Sequence, residues 1–322
     1  MNRELITTSE NVQPAVAYLA SLNTAISRNG MESELRKIAR LMGAADWQSV
    51  DWSSLNAANV QALIARVTES GAAPNTINKT RAALRGVAKA AWRLRLIDTE
   101  ELGRINDVKS NPGARELAGR DVASGEIVAL MQACAADPSS AGARDAAMIA
   151  IAAGTGCRRA ELANMRYEDM RLTDQDNAEV KIIGKRNKQR TLYLVNGALR
   201  ALQDWLTIRG TDPGPMFYAI NKGGRVLTGH GLTTTSLDAM LIKRAQLAGV
   251  NDLDWHDLRR TVAGELLDAG ADIVTVAGIL GHSDVKTTQR YDRRGERTKR
   301  KAATYISVPY FGRGGKNEQA ER

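Results

Sequence analysis

Aromatic residues make up only 4% of this chain, and its 322 residues include two cysteines and three histidines. So few aromatics leave most of the packing to Leu, Ile, Val, Ala and Met; hydrophobic residues still reach 43%, enough for real cores. Two lone cysteines, Cys134 and Cys157, cannot form a disulfide framework and point to a reducing, cytoplasmic setting. The histidines, cysteines and paired acids are too scattered for a metal site, and no G-x-x-x-x-G-K-[ST] loop offers to hold a nucleotide. Neither a metal nor a cofactor is therefore expected. No run approaches the roughly 18 apolar residues that a membrane span needs. The opening residues, MNRELITTSENVQ, lack the apolar stretch of a signal peptide. Asn78-Lys79-Thr80 matches a glycosylation acceptor on paper, which carries no meaning in a cytoplasmic chain.

What the chain has in excess is positive charge. Its formal net charge is +9, and its pI is near 9.7. That balance suits a polyanionic partner, either nucleic acid or an anionic membrane surface.

The length suggests two domains. Residues about 10 to 97 read as helices, with Leu35, Ile38, Leu41 and Met42 at helical spacing, then Val60, Leu63, Ile64 and Val67. Gly30, Gly43 and Gly71 are expected to punctuate between elements. The boundaries predicted are a helical domain over 1–109, a linker over 110–124, a second domain over 125–304 and a tail over 305–322. In the second domain, Ile127, Leu130, Met131 and Cys134 mark an amphipathic helix, and 144–153 a buried one ended by Gly154-Thr155-Gly156. Glu179 to Ile183 and Arg190 to Val195 form a β-hairpin around the basic tip Gly184-Lys185-Arg186-Asn187-Lys188-Gln189. Further helices are expected at about 197–208, 235–248, 255–268, 273–280 and 284–292. The class is mainly α with a small antiparallel β-sheet, α+β.

Residues 76–97 carry Lys79, Arg81, Arg85, Lys89, Arg93 and Arg95 with no acid among them. Four-residue spacing from Arg81 to Arg93 sets neighbours on nearly the same helix face, where like charges repel. A phosphate-bearing partner offsets that cost by ion pairing and counterion release; a solvated basic face is the bland alternative. A second basic run covers Lys286, Arg290, Arg293, Arg294, Arg297, Lys299, Arg300 and Lys301.

Four short stretches carry distinctive chemistry. In Thr155 to Leu162 (TGCRRAEL) a glycine turn starts a helix with arginine in its first turn and a carboxylate three residues on, which favours an anion. The hairpin tip supplies Lys185. In Asp254 to Arg260 (DWHDLRR), Asp254 is a plausible N-cap, and His256 and Arg259 share a helical face. In Ile279 to Ser283 (ILGHS) a helix ends at Gly281, and Ser283 can cap the next helix, which carries Tyr291 nine residues after His282.

With these four in place the chain resembles the tyrosine site-specific recombinases of the phage-integrase family. The T-G-x-R-x-x-E box stands at Thr155 to Glu161, G-K-x-N-K at Gly184 to Lys188, H-x-L-R at His256 to Arg259, and L-G-H with its tyrosine at Leu280 to Tyr291. The resemblance covers roughly residues 10 to 310 and implies a helical core-binding domain followed by the catalytic domain, closing as a C-shaped clamp on double-stranded DNA.

It also implies roles. Tyr291 attacks a backbone phosphate, leaving a 3′-phosphotyrosine and a free 5′-hydroxyl. Arg158 and Arg259 clamp the non-bridging oxygens, and His282 adds a third donor. Lys185 protonates the leaving oxygen. His256 is either the base for Tyr291 or a phosphate ligand. Glu161 orients Arg158 or its neighbours from behind. The phosphotyrosine stores the energy of the broken bond, so no ATP is used. Lys79, Arg81, Arg85, Lys89, Arg93 and Lys188 are the candidate DNA contacts, and four protomers assemble on paired sites. Without an obvious extra arm-binding domain, a simpler recombinase is expected, one that resolves dimers, cointegrates or small mobile elements.

Several positions stay ambiguous. Arg159 competes with Arg158 and Arg260 with Arg259, and the boxes favour the lower number in each case. Lys188 and Arg190 are either solvated hairpin charges or DNA contacts. His230 is structural or touches the DNA backbone, and Cys157 is a core residue. Tyr305 and Tyr310 read as packing groups in an apolar tail cluster that docks on a neighbouring subunit. A type IB topoisomerase shares the tyrosine chemistry, and a silent DNA-binding factor shares the basic surface. Plasmid relaxation with and without a specific site, and trapping of a covalent adduct, separate these alternatives.

Overall fold

The computed structural model describes residues 13–109, 119–184, 189–282, 284–289, 291, 303–308 and 310. The chain divides into two compact units, Met1–Glu116 and Leu117–Arg322. It is mainly helical with small antiparallel sheets. No helix among the described residues is long and apolar enough to cross a membrane.

The first unit holds α1 (Pro14–Ala20), α2 (Ala25–Leu41), α3 (Ala57–Glu69), α4 (Pro74–Arg93) and α5 (Thr99–Asp107). Local signals set their starts. Thr24, Asn56 and Asp98 cap α2, α3 and α5 with side-chain oxygens, and Pro74 opens α4. Leu35, Ile38, Leu63, Leu84, Val87 and Ile105 fill the core. Gly30 does not punctuate: α2 runs straight through it, because the apolar stripe beyond it outweighs the cost of about 1 kcal/mol for one helical glycine. Gly43 and Gly71 do sit at positive φ just past helix ends. Two of the few aromatics serve this core. Trp47 and Trp52 are buried, and the Trp52 indole donates to the Trp47 carbonyl at 2.7 Å.

The second unit begins its regular structure with α6 (Ser124–Ala135), α7 (Ser140–Thr155) and α8 (Arg159–Ala163). There follow β1 (Met170–Leu172), β2 (Asn177–Ile183), β3 (Gln189–Val195), α9 (Asn196–Arg209), β4 (Tyr218–Ile220) and β5 (Val226–Gly231). It ends with α10 (Thr234–Leu247), α11 (Trp255–Asp268), α12 (Ile273–Leu280) and α13 (Val285–Gln289). Strands β1-β2-β3 form one antiparallel sheet, with Val180 opposite Leu192 and Ala178 opposite Leu194 on its buried face. A second hairpin, β4–β5, was not expected. Its strands are short, and Gly229 and Gly231 break the alternation that marks a strand. Helix α7 is buried along most of its length, packed among α6, α9 and α11.

Residues 119–123, expected as linker, are docked on the second unit. The Arg120 amide donates to the Asp257 carboxylate at 3.0 Å and the Val122 amide to the Thr261 hydroxyl at 2.8 Å. Residues 110–118 lie outside the described residues. In the tail, Tyr305 and Tyr310 are 77% and 79% exposed, so within one copy of the chain they are not core packing groups.

Candidate active site

The glycine turn after α7 is built by its neighbours. The Thr155 hydroxyl donates to the Ile151 carbonyl and accepts the Cys157 amide, while Gly156 takes a left-handed φ of 61°. A Cβ on Gly156 would stand 2.7 Å from Leu280 Cδ2, so the turn also needs glycine for contact with α12. Arg158 follows as the N-cap of α8. Glu161, at the third position of that helix, reaches back to accept the Arg158 amide at 2.7 Å.

The end of α12 organises the guanidiniums. Gly281 caps that helix at φ 67° and leaves its last carbonyls open to donors. Arg190 Nε donates to the Ile279 carbonyl at 3.1 Å, Arg259 Nη2 to Leu280 at 2.7 Å and Arg158 Nη2 to Gly281 at 2.7 Å. Arg259 Nη1 also donates to the Gly156 carbonyl at 2.6 Å. Helix carbonyls carry partial negative charge, which favours cations there. Burial, then Arg158, push the Arg259 guanidinium down to about 10, which leaves it charged at neutral pH. Burial alone would raise the Glu161 carboxyl, but hydrogen bonds from Arg190 and Arg158 outweigh it and hold it below the usual range.

Tyr291 lies beside these groups, 7% exposed, in a small core with Val262, Val276 and Leu280. Its hydroxyl is 3.0 Å from His256 Nε2. The His282 ring stacks near the phenol with centroids 5.9 Å apart, and its Nδ1 is 2.7 Å from the Thr288 hydroxyl. Burial, then Arg259 and Arg260, lower the His256 pKa; burial, then Arg259 and Arg158, push His282 down to about 4. Both imidazoles are thus neutral at pH 7, and each has one nitrogen that can accept a proton. Asp254 caps α11 through the His256 amide and fixes where that ring emerges. A cleft of about 220 Å³ opens here, lined by Cys157, Arg158, Arg159, Asp254, Trp255, His256 and Arg259. Cationic donors around a cleft, a phenol hydroxyl and a neutral imidazole together suit attack on a phosphate.

The structure therefore brings Arg158, Glu161, His256, Arg259, His282 and Tyr291 together. Lys185 and Lys188 lie outside the described residues, as does Ser283. The second members of the two ambiguous pairs have partners of their own. Arg159 turns to Asp238 on α10, and Arg260 donates to the Gly119 carbonyl while lying 5.9 Å over the Tyr291 ring. Cys157 is buried, and burial raises its thiol to about 11. His230 is exposed on β5. Arg190 is not a solvated hairpin charge: its side chain is 12% exposed, and it forks onto both Glu161 oxygens at 2.6 and 2.7 Å. The missed signal was strand alternation, since Arg190 shares the inward side of β3 with Leu192 and Leu194. Thr288, fully buried, was also missed.

In the first unit the basic row of α4 divides. Arg81 and Arg85 donate to carbonyls at the end of α5, to Val108 in both cases and also to Asn106 from Arg85. Lys79 lies 3.6 Å from the buried Glu34 carboxylate. Lys89 and Arg93 are exposed, and the described residues include no ion pair to either.

The model of the phage integrase family matches residues 120–297. Tyrosine recombinase XerC of Corynebacterium efficiens is 30% identical over 270 residues, 81% of this chain and 79% of its own. XerC of Haemophilus ducreyi is 31% identical over 81% of each chain. Among solved structures, XerH site-specific recombinase in a post-cleavage complex with its difH substrate aligns at TM-score 0.64 and 21% identity, over 87% of this chain and 79% of that one. A lambda integrase dimer bound to a core site aligns at TM-score 0.61 and 16% identity, over 86% and 75%. With the boxes, the fold and these relatives agreeing, the chain belongs to the phage integrase family and is a tyrosine site-specific recombinase, an enzyme of DNA strand transfer.

Proposed function

We propose that Tyr291 cleaves one strand of duplex DNA at a specific site and holds the end as a 3′-phosphotyrosine until the 5′-hydroxyl of the incoming strand reverses the bond. The observation that carries this reading is the Tyr291 hydroxyl, 3.0 Å from His256 Nε2 and beside the cleft that Arg158 and Arg259 line. Neutral His256 accepts the phenol proton as Tyr291 attacks, which favours the base over the phosphate-ligand role. Arg158 and Arg259 donate to the non-bridging oxygens as charge builds on them. His282, with Nδ1 engaged by Thr288, turns Nε2 to the same phosphate. Lys185 protonates the leaving 5′-oxygen, a role taken from the family boxes. The phosphodiester energy is conserved in the adduct, so the reaction runs without ATP or metal.

The first unit acts as the core-binding domain, with Lys89 and Arg93 as its strongest candidates for phosphate contact, joined by Lys79 and by Lys188 of the hairpin. Recombination exchanges strands between two sites, which calls for four copies. The exposed tail cluster Tyr305, Ile306 and Val308 suits docking on a neighbouring copy. Free, buried Cys134 and Cys157 fit work in the cytoplasm, on nucleoid DNA. The test is incubation with a nicked suicide duplex carrying the site. A denaturation-resistant adduct supports the proposal, and its absence at saturating DNA refutes it.

A further inference from the structure

Glu161 receives more donors than orienting Arg158 requires. Its carboxylate, 4% exposed, accepts the Arg158 amide and Arg158 Nη1, and both arms of Arg190 besides. We propose that Arg190 is a positioning residue of the cleavage step: by occupying both Glu161 oxygens, it prevents the carboxylate from drawing in the Arg158 fork and leaves that fork for the scissile phosphate. This rests on the assignment of Arg158 to the phosphate clamp.

The donor count supports it. A guanidinium has five N–H groups. Arg158 gives one to Glu161 and one to the Gly281 carbonyl, and Arg259 gives one to Gly156 and one to Leu280. Arg190 gives from all three of its nitrogens, to Glu161 twice and to Ile279, and it does not line the cleft. Its two remaining hydrogens lie away from the cleft lining, whereas Arg158 and Arg259 each keep three and do line the cleft. A lone buried carboxylate and guanidinium prefer a two-pronged pair. Without Arg190, Glu161 would take that pair from Arg158.

Gly281 makes room for this arrangement. A Cβ there would stand 2.8 Å from Arg190 Nη1 and 3.0 Å from its Cδ. The glycine of the L-G-H box thus serves Arg190 as well as the left-handed turn. Three successive carbonyls, Ile279, Leu280 and Gly281, hold Arg190, Arg259 and Arg158. One helix end sets the spacing of the whole group.

The test uses the full chain and suicide duplexes carrying either a normal phosphate or a methylphosphonate, which lacks one charged oxygen, at the scissile position. Arg190→Met should cleave the phosphate duplex about 30-fold more slowly while binding it within about threefold. On the methylphosphonate duplex, where the clamp has less charge to hold, the deficit should shrink below about threefold. Adding Arg158→Ala to Arg190→Met should cost under about threefold more, since the fork is already withdrawn. Arg190→Lys keeps the charge without the fork and should still be about 10-fold slow on phosphate, a result that stands if the methionine variant fails to fold. Cleavage by both variants at the normal rate, or an equal deficit on both duplexes, overturns the role. Wild-type chain that forms no adduct, or Arg158→Ala that cleaves normally, overturns the clamp assignment itself and is recognised by that result alone.

Discussion

The ends of α5 and α12 are both capped by arginines, which do different work at each. At the end of α5, Arg81 and Arg85 donate to the carbonyls of Asn106 and Val108. The Nε atoms of both are buried without a hydrogen-bond partner, and burial, then Arg81, lower the Arg85 pKa. At the end of α12, Arg190, Arg259 and Arg158 donate to three successive carbonyls, a carboxylate joins them, and two of the three also line a cleft. The donor chemistry is the same. What distinguishes a cap from a clamp is which N–H groups remain, and whether they reach a space that a ligand can enter. Charge rows on a helix do not reveal that difference, but hydrogen-bond accounting does.

The sharpest way to break the comparison is to remove the fork and keep the charge. Arg259→Lys should slow adduct formation by about 10²- to 10³-fold with DNA binding nearly intact, as expected for a lost transition-state donor. A rate within a few fold of wild type, measured by single-turnover cleavage, would reduce the α12 cluster to a cap like that of α5.

Acid should separate the regions next. His282 is held neutral down to about 4 by burial and then by Arg259 and Arg158, whereas an unfolded histidine titrates near 6.5. Between those values the unfolded chain takes up a proton that the folded chain refuses. This contribution to stability is complete above pH 6.5 and is lost as pH falls towards 4. Thermal midpoints of the DNA-free protein from pH 7 to 4.5 should drop more steeply for wild type than for His282→Gln. Parallel curves would contradict the assignment.

The smallest effects lie in the first unit. Arg85→Gln should cost about 1 kcal/mol of stability through lost capping, read from denaturant midpoints, and leave the salt dependence of DNA binding unchanged. Lys89→Gln should do the reverse, lowering the slope of log affinity against log salt by about 1 at unchanged stability. Exchanged phenotypes would mean that the two halves of the α4 row have been assigned the wrong way round.

These contrasts also show what the sequence could carry. Three of the four boxes were legible because an arginine or histidine follows a backbone signal: Gly156 and Gly281 at left-handed φ, and Asp254 as a cap beside His256. The β2–β3 hairpin and the late helices followed from alternation and helical period. The β4–β5 hairpin did not, because β4 has three residues and Gly229 and Gly231 interrupt β5, which leaves no period to read. The row from Arg81 to Arg93 was legible as charge only. Its division depends on α5 ending beside Arg81 and Arg85, a tertiary fact. Arg190 could have been read from its inward place on β3, but its link to Glu161, 29 residues away, could not.

The claim on which the rest depends is that the phenol of residue 291 becomes covalently joined to DNA. Peptide mapping of the adduct from a suicide duplex tests it directly. The phosphonucleotide should sit on Tyr291, and Tyr291→Phe should bind the duplex normally and give no adduct. An adduct on Tyr305 or Tyr310, or one that persists in Tyr291→Phe, would contradict the account.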